Sequence, residues 1–471
     1  MKREVAQRPR VFYWPAGRYA GSTQLLSLLT NGRRGSNCHS SMLDIVFIRQ
    51  NQDAVRAAIK NKRVELDLDA LLAADKERRE LIAKLESKRA RKNEIAQLIP
   101  KAKKEERAPL VDEGRAVKVE LEELEPSLAG AQKKFDDLML RVPSIPRPEV
   151  PIGAGEEDNV EIRRVGVKRA FDFKPKDHVE LMMLHRMVNW DGPRKYAGGR
   201  SYALMGTGAL LELAITRLAI DLLVARGLTI VIPPVMVKER AMVGTGFFPL
   251  GVEEAYAITA DELFLVGTSE VPLVSLHCDD VLDAASLPIR YAGVSNCFRR
   301  EAGAYGKDTK GLYRVHQFTK VEQVVFCLPD ETVAEKEHYQ LLANAEAILE
   351  KLEIPYRVAI ACTGEIGLGQ TRKHEVESWM PGRADGKGAY NETHSCSTLG
   401  DFQARRSNIR VRMPDGSLAY PYTLNNTAVA SPRILIPLLE NHQNADGSIT
   451  LPKALVPYMN GIEILHPKGT G

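Results

Sequence analysis

The sequence predicts an α+β protein in which an antiparallel two-helix coiled-coil arm precedes a larger domain with an antiparallel or mixed sheet. Apolar residues recur at heptad spacing between residues 110 and 138, which is typical of a coiled coil. Prolines at positions 143, 146, 148 and 151 predict a stiff linker after the arm. Beyond residue 157, short strand-like segments do not alternate regularly with helical ones, which disfavours a doubly wound sheet.

The composition is that of a folded protein and excludes several other classes. Of the 471 residues 44% are hydrophobic, so a chain disordered along its whole length is excluded. With 65 Lys and Arg against 61 Asp and Glu, the net charge is +4, and any nucleic-acid binding must be local. No run of eighteen uncharged apolar residues occurs, so we expect no membrane span and no membrane partner. Six scattered cysteines without a Cys-x-x-Cys pair exclude a disulfide scaffold and favour a cytoplasmic location.

The first 41 residues differ from the rest of the chain. They contain seven basic residues and one acid, are rich in Gly and Ser, and show no helical or strand period. We expect a start assigned too early, with Met42 the true first residue; a disordered tail and an organelle transit signal are the alternatives. The expected divisions are residues 1–41, an N-terminal domain over 42–150 and a larger domain over 151–471.

Residues 71–141 are rich in charged helix formers and predict the arm. The seam of its second helix consists of Leu110, Gly114, Val117, Leu121, Leu124, Leu128, Ala131, Phe135 and Leu138. The looser seam of its first helix consists of Leu81, Ile82, Leu85, Ile95, Leu98 and Ile99. We expect Pro100 to end the first helix, Pro109 to lie in the first turn of the second, and Pro126 to kink the second. A short connection makes the two helices antiparallel neighbours, each about 45 Å long.

The charge of the predicted arm is unevenly distributed. Between residues 84 and 107 there are nine basic residues and four acids, 9 − 4 = +5, whereas residues 109–137 carry four basic residues and eight acids, 4 − 8 = −4. Such charges usually only solvate an exposed helix pair. A basic distal part on a rigid arm would also suit the phosphates of an RNA. The candidate phosphate contacts are Lys88, Arg89, Arg91, Lys92, Lys101, Lys103 and Lys104.

The densest group of chemically useful residues lies in a predicted strand–loop–strand segment. Its two halves are Cys297-Phe298-Arg299-Arg300-Glu301 and Arg314-Val315-His316-Gln317-Phe318-Thr319-Lys320-Val321-Glu322, joined by a glycine-rich loop. The two-residue period of a strand places Arg299 and Glu301 on one face, and it gives Phe318, Lys320 and Glu322 a common face. A forked arginine suits a phosphate whose charge grows during displacement, and an exposed phenylalanine suits stacking on a nucleobase. The alternative is a surface hairpin held by ion pairs.

These residues resemble a known family. Phe298-Arg299-x-Glu301 resembles the second signature motif of class II aminoacyl-tRNA synthetases, and the returning segment ending at Glu322 resembles seryl-tRNA synthetases of the bacterial type. The resemblance covers residues 42 to 471. It implies an antiparallel-sheet class II catalytic domain, a homodimer, and a coiled-coil arm that binds tRNA.

Other segments support this resemblance. Ile232-Pro233-Pro234 resembles the first motif, with Pro234 as the motif proline at a dimer interface. The segment 425–433 resembles the third motif, in which a strand runs into a helix and an arginine, here Arg433, contacts the γ-phosphate of ATP. Because Pro437 falls inside that helix, we expect a local kink.

Two further segments imply where serine and a metal bind. Gly267-Thr268-Ser269-Glu270 resembles the loop that holds the substrate serine, and the segment 392–397 resembles the one that holds ATP-bound Mg²⁺. The chain departs from the family pattern at Glu365 and Glu375, where aspartate is common. No cysteine and histidine cluster supports the zinc-dependent form of the family, so no zinc is expected.

The resemblance implies an ATP-dependent, AMP-forming ligase that activates L-serine and transfers it to tRNA(Ser), and to tRNA(Sec) where that is present. The catalytic residues it implies are Arg299, Glu301 and Arg433. The serine-binding residues are Thr268, Ser269, Glu270, Arg299, Glu322, Asn425 and Thr427. The ATP-binding residues are Arg299, Arg300, Glu301, Arg314, Val315, Phe318, Glu392, Thr393, His394, Ser395 and Arg433, of which Glu392 and Ser395 also hold Mg²⁺.

Three rival functions remain open at this point. A related ligase that charges a carrier protein would lack the arm that this sequence predicts. A non-catalytic paralogue would have lost a motif arginine, whereas Arg299 and Arg433 are both present. A duplicate enzyme that resists a serine-mimicking inhibitor differs too little to be recognised from sequence.

Overall fold

The computed structural model describes residues 43–304 and 311–468. The prediction of an extension over residues 1–41, with Met42 as the first residue, lies outside the described residues. In the described part of the chain, no helix is both long and apolar enough to cross a membrane.

Four helices form the N-terminal part of the described chain. They are α1 (Ile45–Gln50), α2 (Gln52–Asn61), α3 (Leu68–Leu98) and α4 (Lys104–Met139). The two long helices, α3 and α4, are the predicted antiparallel arm, and their bounds differ from residues 71–141 by only a few positions. Asp67 begins α3, because its carboxylate accepts hydrogen bonds from the backbone N–H groups of Asp69 and Ala70.

The predicted seam holds the arm together. Leu85 and Ile95 of α3 are buried against Val117 and Leu121 of α4. A Cβ atom added at Gly114 would lie 3.4 Å from the Ile95 side chain, so the weakest seam position is one of close approach between the helices. Each of the nine seam positions of α4 is buried or half-buried.

Two details of the arm prediction are wrong. Leu98 was expected in the seam but is 39% exposed, whereas the next residue, Ile99, packs against the seam. Pro109 was expected in the first turn of α4, yet the helix begins earlier, at Lys104, because the Glu106 carboxylate accepts a hydrogen bond from the Lys103 N–H. Helix α4 continues through Pro126 to Met139, and the expected kink there stays a prediction.

The larger domain contains the remaining helices and all of the described strands. Its helices are α5 (His178–Leu184), α6 (Asp191–Ala197), α7 (Thr207–Ala225), α8 (Glu239–Thr245), α9 (Glu270–Ser275), α10 (Glu331–Lys351), α11 (Arg383–Gly386), α12 (Phe402–Arg406) and α13 (Leu435–His442). Its strands are β1 (Val160–Val165), β2 (Val188–Asn189), β3 (Ala203–Leu204), β4 (Thr229–Val231), β5 (Met236–Lys238), β6 (Tyr256–Ile258), β7 (Leu263–Leu265), β8 (Val281–Asp283), β9 (Ile289–Phe298), β10 (Gln317–Cys327), β11 (Tyr356–Ile360), β12 (Arg372–Met380), β13 (Ala389–Gly400), β14 (Arg410–Arg412), β15 (Leu418–Ala419), β16 (Tyr422–Ser431), β17 (Ile449–Thr450) and β18 (Ile464–Leu465).

Eight of these strands form one sheet, which confirms the predicted α+β fold class. Its strand order is β1-β11-β12-β13-β16-β10-β9-β4. Every neighbouring pair is antiparallel except β4 with β9. Smaller sheets join β5, β7 and β6, and β15, β14 and β8.

The two faces of the sheet have different neighbours. On one face, Val321 and Val325 of β10 and Ala428 of β16 pack in the main core with buried residues of α7 and α10 such as Leu218 and Ile348. The opposite face carries polar side chains from the same strands. The strand period thus separates the core from the candidate site.

The predicted passage from a strand into a helix at the third motif is present. Strand β16 continues to Ser431, and α13 begins at Leu435. Pro437 consequently lies in the first turn of α13, where a backbone N–H has no partner inside the helix. The basis for expecting a kink at Pro437 is therefore wrong.

Candidate active site

A cleft lies over the centre of the large sheet, where β9, β10, β13 and β16 run side by side. It is lined by Arg299, Glu301, Leu312, Tyr313, Val315, Phe318, Lys320, Glu392, Thr393, Ser395, Thr427, Ala430, Ser431, Pro432 and Arg433. Most of these residues lie near strand ends or on the sheet face opposite the helical core, and Leu312, Tyr313 and Val315 lie in the loop before β10. The cleft thus gathers residues from the three segments containing Arg299, Glu392 and Arg433.

Arg299 and Glu301 reach this cleft by a different route from the predicted one. Strand β9 ends at Phe298, so neither side chain lies on a strand, and Glu301 has a positive φ of 54°. The prediction that they share one face of a strand is therefore wrong, because neither residue belongs to a strand. Both nonetheless line the cleft, and the Arg314 guanidinium contacts the Glu301 carboxylate at 3.3 Å.

Arg299 is held beside the aromatic ring that was predicted to stack on a base. Its guanidinium carbon lies 5.3 Å from the centre of the Phe318 ring, and its Nε donates a hydrogen bond to the Gly267 carbonyl at 3.3 Å. Cation–π contact of this kind restrains a guanidinium without using all of its donors. The arrangement places a forked cation next to a flat apolar surface, as a nucleotide phosphate and base require.

Glu392 and Arg433 face each other on the other side of the cleft. Arg433 Nη1 lies 3.4 Å from Glu392 Oε2, and the Arg433 guanidinium also lies over the Tyr313 ring at 4.4 Å. Burial opposes ionisation of Glu392, but the positive charges of Arg433 and Lys373 outweigh it and lower the pKa of Glu392. Glu392 is therefore a carboxylate at neutral pH.

The donor set on this side of the cleft fits Mg²⁺ bound together with a phosphate. Glu392 offers carboxylate oxygens and Ser395 a hydroxyl, and both line the cleft. Hard oxygen donors in small number suit Mg²⁺, which usually takes only one or two carboxylates and shares its other positions with phosphates and water. Over residues 43–304 and 311–468, no group of three or more His, Cys, Asp or Glu side chains could hold a metal ion by itself.

Behind Arg299, a group of buried polar side chains forms a candidate amino-acid pocket. Lys320 forms an ion pair with Glu322 and donates a hydrogen bond to Thr268 Oγ1 at 3.2 Å. Thr427 Oγ1 donates to Glu322 Oε2 at 3.4 Å. Glu322 is 1% exposed, and this burial raises its pKa although Lys320 acts in the opposite direction.

Glu270 lies in the same group and is held by two amides. Its Oε1 accepts hydrogen bonds from Gln403 Nε2 at 2.7 Å and from Asn425 Nδ2 at 2.8 Å. Burial, followed by the nearby negative charge of Glu322, raises the pKa of Glu270 to about 7. Two buried carboxylates and one lysine can bind a small molecule with both an ammonium and a hydroxyl group, because each donor of such a molecule meets an acceptor.

Three predicted site residues do not point into the cleft. The Ser269 hydroxyl donates to the Gly293 carbonyl under β9. Arg300 is exposed and its Nη1 donates to the Glu253 carbonyl at 2.9 Å. His394 is buried on the other side of β13, and burial lowers its pKa to about 4. Ser269 lies at the start of α9 and Arg300 just after β9, whereas His394 lies within β13 and alternates with Thr393 and Ser395, which line the cleft.

The structure also brings in residues that sequence reasoning did not assign. Lys320 shares a strand face with Phe318 and Glu322, so the period of two already indicated its direction. The Tyr313 hydroxyl donates to the Glu392 carbonyl at 3.2 Å, and the residue directly precedes the Arg314 of the motif. Gln403 lies on α12, shortly after the segment 392–397, but no motif includes it and its partner Glu270 is 133 positions away along the chain.

Glu375, which stands where the family commonly has aspartate, has polar partners in the structure. Glu375 pairs with Lys373 at 2.6 Å and accepts a hydrogen bond from Asn159 Nδ2 at 3.1 Å. In the register of β12 and β13 it lies opposite Ser395. The longer carboxylate therefore retains a cationic partner.

The predicted RNA contacts on the arm fall into two groups. Lys88, Arg89 and Arg91 of α3 form ion pairs with Glu120, Glu125 and Glu113 of α4, respectively. For Lys92, Lys101, Lys103 and Lys104, no carboxylate partner is found among the residues that the structure describes. Three of these four unpaired lysines surround the tip of the arm.

Comparison with known proteins gives matches over nearly the whole described chain. Residues 42–146 match the "Seryl-tRNA synthetase N-terminal domain" and residues 255–442 the "tRNA synthetase class II core domain (G, H, P, S and T)". The serine–tRNA ligase of Deinococcus radiodurans is 46% identical over 424 residues, which are 90% of this chain and 99% of that protein. That of Rubrobacter xylanophilus is 42% identical over 428 residues, again 90% and 99% of the two chains.

Solved structures agree with these relatives. The crystal structure of seryl-tRNA synthetase from Pyrococcus horikoshii complexed with ATP matches with a TM-score of 0.84 at 37% identity, over 91% of this chain and 100% of that chain. The cytoplasmic serine–tRNA ligase of Naegleria fowleri in complex with AMP matches with a TM-score of 0.80 at 29% identity, over 92% and 100% of the two chains. The likeness thus extends over both the arm and the larger domain.

Proposed function

This chain belongs to the seryl-tRNA synthetase family and catalyses the ATP-dependent ligation of serine to tRNA, and on that premise we propose how its residues share the work. The observation that carries the assignment is the meeting of Arg299, Phe318, Glu392 and Arg433 in one cleft beside the buried pair Glu322 and Thr427. This grouping supports the division of roles between ATP and serine that we propose.

In the first step, a carboxylate oxygen of serine attacks the α-phosphorus of ATP, and pyrophosphate leaves. Arg299 binds the α-phosphate and the serine carboxylate, so that it neutralises both reacting groups while they approach. Phe318 stacks on the adenine, and Glu301, with the Val315 backbone, positions it. Arg433 binds the γ-phosphate. No side chain forms a covalent intermediate.

Bound Mg²⁺ would neutralise phosphate charge in this step, and Glu392 and Ser395 are the donors that we assign to it. Glu392 suits this role because its pKa is lowered, so no proton has to leave before the carboxylate binds a cation. In the structure described here, Arg433 forms an ion pair with the Glu392 carboxylate, and it would turn to the phosphate when ATP binds.

Serine must be distinguished from alanine and threonine, which differ from it by one hydroxyl and one methyl. We assign the serine hydroxyl to Glu322 and Thr427, and the amino group to Glu270 and Asn425, with Thr268 nearby. A site whose buried polar groups need the substrate hydroxyl rejects a substrate that lacks it, since those groups then stay unpaired. Ser269 contributes to this pocket by supporting the loop, since its own hydroxyl is used under β9.

In the second step, a ribose hydroxyl of the terminal adenosine of tRNA attacks the seryl carbonyl, and AMP leaves. We propose tRNA(Ser), and tRNA(Sec) where the cell has it, as the acceptor that α3 and α4 bind. A rigid arm with unpaired lysines at its tip suits recognition of RNA by shape and phosphate contacts.

We also propose a homodimer and a cytoplasmic location. Four apolar side chains from α7 and from the segment after β4 are exposed, namely Leu210, Leu213, Val224 and Ile232, the last at 83%. Apolar surface of this kind supports an interface with a second copy that includes the Pro234 motif. The five cysteines in the described part of the chain are free thiols, which supports a reducing compartment. Sedimentation analysis tests the dimer.

The decisive experiment is serine-dependent ATP–pyrophosphate exchange followed by charging of total tRNA, with alanine and threonine as controls. Exchange with serine and charging of tRNA are expected together. Exchange without charging would contradict the arm assignment and favour a carrier-protein acceptor. Exchange with another amino acid alone would overturn the pocket assignment. Repeating the assay with a serine-mimicking inhibitor tests the resistant-duplicate alternative.

A further inference from the structure

Gln403 is a buried amide that links α12 to the amino-acid pocket. It is 1% exposed and lies outside every motif that the family resemblance uses. Its Nε2 donates a hydrogen bond to Glu270 Oε1 at 2.7 Å and another to the Thr245 carbonyl at 3.2 Å. Both donors of this amide are therefore occupied, and one of them acts on a carboxylate of the pocket.

The orientation of the Gln403 amide is fixed by the acceptors on its nitrogen side, and Thr423 satisfies its oxygen. Thr423 Oγ1 donates a hydrogen bond to Gln403 Oε1 at 2.8 Å, so the oxygen of the amide faces Thr423 and its nitrogen faces Glu270. Reversing the amide would place the oxygen against the Glu270 carboxylate and the Thr245 carbonyl. The two acceptors thus select one orientation of the amide, and the Thr423 hydroxyl stabilises it.

The hydrogen bonds at Glu270 leave one of its oxygens for a ligand. Gln403 and Asn425 both donate to Oε1, at 2.7 and 2.8 Å. A carboxylate held by two donors on one oxygen cannot rotate freely. Within residues 43–304 and 311–468 no hydrogen bond to Glu270 Oε2 is found, so this oxygen keeps its acceptor capacity. An ammonium group suits such a buried carboxylate oxygen, because a charge-assisted hydrogen bond is stronger than one between neutral groups.

We propose that Gln403 is a positioning residue for serine recognition, which holds Glu270 so that its free oxygen receives the amino group of serine. The inference rests on the proposed function and extends it to a residue on α12. Gln403 does not touch serine itself. It acts through Glu270, and Thr423 acts through Gln403.

Electrostatics add a readout that distinguishes positioning from mere packing. The charged groups that face Glu270 are Glu322 and Lys320, both from β10. Burial and Glu322 raise the pKa of Glu270 to about 7, whereas Gln403, Lys320 and Asn425 act to lower it. Without the Gln403 donor, the pKa of Glu270 rises further, so a higher pH is needed before the carboxylate can attract an ammonium group.

The test is Gln403→Met, which keeps the volume and removes the hydrogen bonds. In serine-dependent pyrophosphate exchange we expect the KM for serine to rise about 10-fold to 100-fold, because one hydrogen bond to a charged group is lost, with the KM for ATP unchanged. The acidic limb of the pH profile of kcat/KM for serine should move to higher pH. A parallel rise of both KM values, or an unmoved limb, would overturn the inference.

Gln443→Met is the matched control. Gln443 is also a buried glutamine with three hydrogen bonds, to Lys176 and Glu440, but it lies outside the cleft. The Gln443→Met variant should leave unchanged both the KM for serine and the acidic limb of the pH profile of kcat/KM. An equal effect of Gln443→Met on both would show that loss of any buried amide acts in this way and would also overturn the inference.

Thr423→Val keeps the inference testable if Gln403→Met folds poorly. It removes only the hydroxyl that satisfies the amide oxygen, so the KM for serine should rise in the same direction by a smaller factor. Serine-dependent exchange by the wild-type protein separates failure of the proposed function from failure of the role proposed for Gln403. If the wild type shows no such exchange, the proposed function fails; if it does and neither variant affects the KM for serine, only the role of Gln403 fails.

Discussion

The arm and the cleft use the same types of charged residue under opposite physical conditions. On the arm, Arg91 pairs with Glu113 and Glu94, and all three side chains are at least 38% exposed to solvent. In the cleft, Lys320 and Glu322 form an ion pair with only 7% and 1% of their surface exposed. Exposed ion pairs contribute little to stability because water and salt screen them, whereas buried charges are costly to remove from water.

This difference indicates what each set of charges is for. The fold does not need the charges of the arm, because the apolar seam of α3 and α4 already joins the helices. The buried charges of the cleft oppose folding unless each finds a partner, and so their retention points to a ligand. Changes on the arm should therefore affect the tRNA step alone, and changes in the cleft should affect serine activation.

The largest effect is expected from Arg299→Ala. Pyrophosphate exchange should fall about 1,000-fold, as when a preorganised charge at the reacting group is removed. Arg300→Ala is the matched control, because its side chain is exposed and bonded to the Glu253 carbonyl. It should change exchange less than 3-fold. A comparable loss in both variants would contradict the different directions that we assign to these neighbours.

Deleting residues 81–128 should produce the next largest effect. Charging of tRNA should fall at least about 100-fold, because most phosphate contacts are lost, while exchange stays within a factor of two. Helix ends remain adjacent at the cut, where Arg78 Nη1 donates to Gln132 Oε1 at 3.3 Å, so a short glycine-rich turn can close the chain. Normal charging by the shortened protein would remove the arm from tRNA recognition.

The base of the arm should survive this deletion. Leu71, Ala74 and Phe135 belong to a separate apolar cluster that the deletion leaves intact. Lys62, also outside the deletion, donates hydrogen bonds to three carbonyls of the larger domain, those of Gly367, Leu368 and Gln370, at 2.6–3.0 Å. Circular dichroism and a thermal melt of the shortened protein provide the folding control.

A smaller effect is expected from Thr427→Val in the pocket. The variant keeps the shape of threonine but loses the hydroxyl, so kcat/KM for serine should fall about 10-fold to 100-fold with the KM for ATP unchanged. Discrimination against alanine should weaken as well. Thr371→Val is the control, since it removes a hydroxyl that donates to the Thr398 carbonyl outside the cleft. An unchanged kcat/KM for serine would rule out the role of Thr427.

The arm and the cleft differ in how much of each could be predicted from the sequence. The seam of α4 is a local pattern, so its residues followed from spacing alone. The start of α4 did not, because it depends on one side chain, Glu106, that reaches back to the Lys103 N–H. The general principle is that a repeated pattern averages over many residues, whereas an element boundary depends on a few particular contacts.

The cleft was predicted residue by residue from motifs, and the errors have more than one physical origin. Ser269 and Arg300 belong to the motifs but point elsewhere because they lie where a turn or strand ends. His394 points elsewhere because it alternates with Thr393 and Ser395 along β13. Gln403 was missed because its partner Glu270 is 133 positions away along the chain. Contacts of that kind arise only when the fold brings distant elements together.

The smallest expected effect separates the two groups of arm charges. The triple variant Lys101→Ala, Lys103→Ala, Lys104→Ala removes unpaired lysines at the tip and should raise the KM for tRNA about 3-fold to 10-fold, with a flatter dependence on salt. Neutralising Lys88, Arg89 and Arg91 instead should have less effect, since acids of α4 already pair with them. Exchange should be unchanged in both. If the paired triple gives the larger effect, tRNA must displace Glu113, Glu120 and Glu125 from their partners, and the ion pairs of the arm would then be part of RNA recognition.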